Sequence, residues 1–303
     1  MALELPWMAP QAPYMPVATA GLLSALEQAG QSASVLWRDR GDRLQLELET
    51  DLTTDAVGEL LADADWPSLE RISWPPGTNL RGLQAIKPVL ERQDIPADAF
   101  RAMVAKAPPV EGRFLTGLLT DGALDNNGVP SRSRLLRGVK SDLSGVANRP
   151  KTVTAAGLAA ELADGPHFRK GASGLGLGLV PEIQTFGGTT GPSASTVGAY
   201  SPLLYLLLWL GLMALPPVGV SRGPNRTVGG PLVTAGDVLS WPLWRIPVGL
   251  RALRSLFCLE AIHVETPEAE ALSHRGVAAV YRARAVELST MVAVYRWGEQ
   301  VAR

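Results

Sequence analysis

The segment from Ile183 to Ser221 contains no Asp, Glu, Lys or Arg, and its centre, residues 201–215, reads SPLLYLLLWLGLMAL. A helix made of these residues has no face to offer water, so the chain must bury it or place it in lipid. A bilayer span takes about 20 consecutive apolar residues. Here the unbroken run, Leu203 to Leu215, stops at Pro216-Pro217. Upstream the nearest charge is Glu182, so a positive anchor is missing on that side. Ser201-Pro202 supplies an N-cap and a proline at the first helical position, and the double proline supplies the stop. The pattern predicts a central, wholly buried helix. A membrane-associated protein using Ser201–Val220 is the rival expectation.

A chain of 303 residues has room for a sizeable core, in one large domain or two. Its single cysteine, Cys258, excludes an intramolecular disulfide framework and a cysteine-rich zinc site, which fits a reducing cytoplasm. Lying in the apolar run LRSLFCLEAI, this thiol reads as a small buried residue. The first thirty residues carry Glu4 and Glu27 and no Lys or Arg, unlike a secretory signal with its basic start. Both features point to a cytoplasmic location.

The net charge of −1 hides an asymmetry. Residues 1–130 hold 10 Lys and Arg against 18 Asp and Glu, whereas residues 131–303 hold 18 against 11. A basic half of this kind is suited to a polyanion.

Local patterns predict a mixed first half. An amphipathic helix runs from about Ala18 to Ala29 and ends at Gly30; a hairpin follows around Asp39–Asp42, with Leu44, Leu46 and Leu48 alternating with polar residues. Start and stop signals mark helices at Thr53–Asp63, Asn79–Arg92 and Ala97–Ala107. RFLTGLLTDGALDNNGVPSRSRLL reads as a strand pair around Asp125–Gly128, where a domain boundary is placed. Beyond it come a short helix at Ala155–Ala163, a Gly-rich stretch, the buried helix, an extended WPLWRIP segment, and helical patterns in Val248–Phe257 and Glu268–Val301. The expected fold is α+β: an acidic mixed α/β domain over residues 1–130, then a basic, mainly helical region with Gly-rich loops over 131–303.

Catalytic signatures are missing from the sequence. Gly174-Leu175-Gly176-Leu177-Gly178 lacks the lysine of a phosphate loop, and Leu179 breaks the dinucleotide fingerprint. Gly171-Ala172-Ser173-Gly174 has its second glycine one place early for a nucleophile elbow. His167, His263 and His274 are dispersed, without the short spacing of metal ligands. The expectation is a protein that is not an enzyme and has no cofactor and no metal.

The basic groups carry the functional reading, because Lys and Arg neutralise phosphates and Arg adds bidentate hydrogen bonds. Arg132, Arg134, Arg137 and Lys140 fall within nine residues; Arg149 and Lys151 follow; His167, Arg169 and Lys170 sit in GPHFRKG. Arg222 and Arg226 flank Asn225 in a Gly/Pro loop suited to groove or backbone contact. All twelve are candidate nucleic-acid contacts, with Asn225 for base or sugar.

Three segments resemble a known family when taken in order. These are VATAGLLSALEQAG near the start, GLGLGLVPEIQTF leading to SPLLYLLLWLGLMALPP, and WPLWRIPVGLRALRSL. They are similar to the small large-subunit-like proteins of type I-G (formerly I-U) CRISPR-associated Cascade complexes. The resemblance implies a non-catalytic subunit of an antiviral ribonucleoprotein that helps recognise the target-adjacent motif, supports strand separation and recruits a helicase-nuclease. Implied partners are guide RNA, target DNA and other Cascade-like subunits, with no membrane. A protein-only scaffold or adaptor subunit is the alternative.

Overall fold

The computed structural model describes residues 2–41, 43–74, 95–124, 130–132, 153–167, 169–170, 199–216, 233–234, 238–289, 292–295 and 297–303. The chain begins with strand β1 (Ala2–Leu5), helix α1 (Met15–Gln28) and the hairpin β2 (Ser34–Asp39) and β3 (Leu44–Glu49). These strands form an antiparallel sheet in the order β1-β3-β2, with Leu46 facing Trp37 and Leu48 facing Val35. The alternation read from the leucines is therefore a real strand. Its turn is set by Gly41 at φ 89°, a left-handed conformation that glycine adopts freely. Helix α2 (Thr54–Asp63) starts as expected, the Thr53 hydroxyl accepting from the Ala56 amide.

Helices α3 (Ala97–Lys106) and α4 (Pro109–Leu118) precede the ladder of β4 (Leu119–Leu124) and β5 (Pro130–Arg132). The expected strand pair is thus present, but Arg113–Leu118 is helical, because Pro108-Pro109 opens a helix that buries Phe114, Leu115 and Leu118 on one side. The expected helix at Asn79–Arg92 lies outside the described residues. Helix α5 (Ala155–Asp164) is followed by the short ladder β6 (Arg169–Lys170) with β7 (Ala199–Tyr200), then by α6 (Pro202–Ala214).

After β8 (Val233–Thr234) and β9 (Val238–Trp244) come three helices, α7 (Leu250–Phe257), α8 (Glu260–His263) and α9 (Ala269–Ser273). The chain closes with β10 (Val277–Ser289), β11 (Val292–Tyr295) and β12 (Glu299–Ala302). The second sheet runs β11-β10-β9-β8, with β12 also paired to β10. The expected helical patterns over Glu268–Val301 are corrected: Ala269–Ser273 alone is helical there, and the rest of the described chain is strand-rich. The class is α+β, with a sheet in each half.

Every residue of α6 is buried inside this one chain. Among the described residues no helix is long and apolar enough to cross a membrane. Helix α1 lies against α6 so closely that a Cβ on Gly21 would sit 1.9 Å from the Leu207 carbonyl oxygen, and one on Gly211 would sit 2.0 Å from that of Val17. Such backbone proximity gains dispersion contacts along both helices.

Both ends of α6 are satisfied by charged side chains from distant segments. At the start, Ser201 Oγ accepts from the Leu204 amide, while buried Glu161 of α5 accepts from the Ser201 hydroxyl and the Leu203 amide. At the end, Arg254 of α7 donates through Nε to the Ala214 carbonyl at 2.6 Å. An anion at the N-terminus and a cation at the C-terminus complement the helix dipole. Replacing Arg254 by alanine leaves a buried carbonyl without this donor, so about 1–2 kcal/mol of stability should be lost, read as a lower urea midpoint with an unchanged slope.

Packing crosses residue 130 freely. The Trp244 indole N–H donates to the Val35 carbonyl at 2.8 Å, Trp241 donates to Pro10 at 2.8 Å, and Val35 forms a two-way backbone bridge with Val248. Buried residues from both halves make one cluster, so the change in charge near residue 130 does not coincide with a break in packing among the described residues.

Candidate nucleic-acid interface

Of the twelve basic and polar candidates, four have described backbone. Arg132 ends β5 opposite Leu119. Arg169 and Lys170 form β6 opposite Tyr200 and Ala199, one residue before the N-cap of α6. His167 is exposed beyond the end of α5. The structure thus places Arg132 on one two-stranded ladder and Arg169-Lys170 on another. Arg134, Arg137, Lys140, Arg149, Lys151, Arg222, Asn225 and Arg226 lie outside the described residues, as does the Gly-rich stretch over 171–198.

A different set of arginines meets where the two sheets adjoin. The wall of a cavity of about 540 Å³ is formed by the loop after β1, the β2–β3 turn, the end of β9, the start of β10 and the end of β12. Arg43 enters from the turn, Arg245 from the residue after β9 and Arg303 from beyond β12. All three are exposed. A neighbouring cavity of about 550 Å³ shares Arg245 and Arg303 and adds Glu270 and Ser273. Among the described residues Asp39 supplies a carboxylate side chain to the first cavity's wall, and its Oδ1 accepts from the Gly41 amide at 2.9 Å, which fixes the turn that carries Arg43.

The contrast with the neighbouring arginines of the same hairpin is chemical. Arg38 and Arg40 direct their guanidinium groups to the buried carboxylate of Glu47 at 3.1 and 2.6 Å, and Arg40 also reaches Glu4 at 2.8 Å. No ion pair among the described residues joins Arg43, Arg245 or Arg303 to a carboxylate. Their charge remains available to an external anion.

Aromatic side chains line the same space. Tyr281 is stacked on fully buried Trp241, with ring centroids 6.1 Å apart and planes inclined by 18°. Burial pushes the Tyr281 phenol up, and the Arg303 guanidinium pulls it partly back, so the ring and this cation share one electrostatic environment. Trp37, 3% exposed, also lines the cavity, and its indole N–H is buried without an acceptor.

Arg43, Arg245 and Arg303 gave no signal in the sequence because they are far apart in the chain and only the fold brings them to one cavity. One other expectation changes. Cys258 is exposed at the end of α7, since the apolar face of that helix is made by Leu250, Leu253, Leu256 and Phe257. The Arg282 guanidinium is a structural clamp, donating to the carbonyls of Ile262, Val264 and Glu265 and to the Ser240 hydroxyl. Among the described residues no group of three or more His, Cys, Asp or Glu side chains is placed to hold a metal ion. No protein-family model matches the chain, and no curated protein matches it.

Proposed function

We propose that the chain is a non-catalytic, nucleic-acid-contacting subunit of a type I CRISPR surveillance complex, acting in the cytoplasm. The observation that carries this reading is the meeting of Arg43, Arg245 and Arg303 in one open cleft without internal ion pairs among the described residues. Arginines held this way attract a phosphate backbone through long-range charge and grip it through paired hydrogen bonds. Their partners are guide RNA and target DNA, with neighbouring Cascade-like subunits and a helicase-nuclease. The roles proposed are help with target-adjacent motif recognition, strand separation and nuclease recruitment, while guide pairing supplies most of the sequence specificity.

The placement of the three resembling segments supports the same reading. Helix α1, helix α6 and the β9–α7 segment converge on one core, α1 packing on α6 at Gly21 and Gly211 and Arg254 of α7 closing the end of α6. Because α6 is enclosed by its own chain, it offers no face to a second subunit. A scaffold role would need another surface.

Affinity purification of the tagged chain from its native cell tests the proposal. The expected result is one set of short repeat-derived RNAs with a few fixed protein partners. Fixed protein partners without nucleic acid would overturn it in favour of the protein-only scaffold.

A further inference from the structure

We propose that the cleft between the two sheets takes one unpaired nucleotide of a single-stranded nucleic acid, its phosphate held by Arg43 and Arg245 and its base laid on Tyr281. The inference rests on the nucleic-acid reading above and assigns that contact to a defined place.

Tyr281 stacks with Trp241 at a centroid distance of 6.1 Å, and Tyr281 also lines the cleft. A base entering the cleft would extend this aromatic cluster. Stacking of this kind tolerates any base, since every base has a π face. A paired base is already stacked above and below within its helix, so a duplex cannot lay one on Tyr281 without opening.

The polar groups suit the rest of a nucleotide. Arg43, on a hairpin turn, and Arg245, at a strand end, line the cleft together with Arg303 and Asp39. The buried indole N–H of Trp37 lacks an acceptor. A cavity of about 540 Å³ falls in the range of single small-ligand sites. The adjoining cavity that shares Arg245 and Arg303 gives the strand a continuation.

The test is fluorescence anisotropy of the full chain with labelled uridine and thymidine oligonucleotides of about 12 nucleotides, within the usual range of single-strand sites, and with a duplex of equal length. Single strands should bind more tightly than the duplex, and the tighter of the two single strands identifies RNA or DNA as the source. Arg43→Ala and Arg245→Ala should each weaken single-strand binding by about tenfold, the usual effect of losing a charged hydrogen-bond partner. Tyr281→Leu should weaken it about fivefold or more, with the duplex unaffected. Arg43 sits on an exposed turn, so its substitution probes the cleft even where Tyr281→Leu destabilises the fold.

Unchanged single-strand affinity in Arg43→Ala and Arg245→Ala would overturn the assignment. RNA recovered from native cells together with that result would leave the functional reading standing and move the contact elsewhere. Native purification without nucleic acid would remove the reading itself.

Discussion

Replacing Gly211 by alanine is expected to cost about 4 kcal/mol or more, enough to lower the thermal midpoint by roughly 10 °C or to prevent folding. The added Cβ would lie 2.0 Å from the Val17 carbonyl oxygen and 2.8 Å from its carbonyl carbon, whereas real Cβ contacts essentially never fall below 3.0 Å. Both obstructing atoms are backbone, so no rotamer change relieves the clash and α1 must move off α6. Gly21→Ala should act alike, since its Cβ would meet the Leu207 carbonyl oxygen and the Gly211 amide. The double substitution should cost less than the sum, because one separation of the helices relieves both collisions. Gly112→Ala is the control: its nearest neighbour would be 3.9 Å away, and helix propensity alone predicts a gain of up to about 1 kcal/mol. Unfolding curves of all four variants check the pattern.

Glu161→Ala is expected to remove about 3 kcal/mol, measured as a fall in the urea midpoint. Glu161 is 1% exposed and accepts from the Ser201 hydroxyl and the Leu203 amide at the start of α6. Alanine leaves the Leu203 amide without an acceptor in a dry site and opens a cavity beside it. Glu161→Gln keeps the shape and an acceptor oxygen but loses the negative charge at the helix N-terminus. Its cost should be nearer 1 kcal/mol, the scale of a charge–dipole interaction at a helix end. Equal losses for the two variants would show that hydrogen bonding contributes nothing beyond charge.

The elements that were legible in the sequence are those whose signals are local. Ser201-Pro202 and Pro216-Pro217 bracket α6, Thr53 caps α2, and the leucines of β3 alternate, so each could be placed without knowing its neighbours. The strand β10 was obscured because VAAVYRARAVELS holds four Ala and two Arg, which are good helix formers. Its pairing with β9, including Tyr281 opposite Trp241, prevails over that propensity. Helix α4 was hidden in the same way, since its apolar residues run directly into the strand that follows.

The site was less legible than the fold. Counting charge along the chain favours consecutive groups such as Arg132 to Lys140, but the cleft draws Arg43 from the acidic half and Arg245 and Arg303 from the basic half. Arg38, Arg40 and Arg43 look equivalent in sequence. Their difference appears when register places Glu47 on the central strand beside the first two. Glu161 gave no warning either, because one glutamate inside a predicted helix ordinarily faces solvent.

The most direct measurement is ultraviolet cross-linking of the native assembly purified through this chain, followed by mass spectrometry of its nucleotide-bearing peptides. Direct contact at the cleft predicts an attached nucleotide on the peptide containing Tyr281 or on the one containing Trp37 and Arg43. Recovery of the same assembly with nucleic acid linked only to other subunits, and to no peptide of this chain, would contradict it.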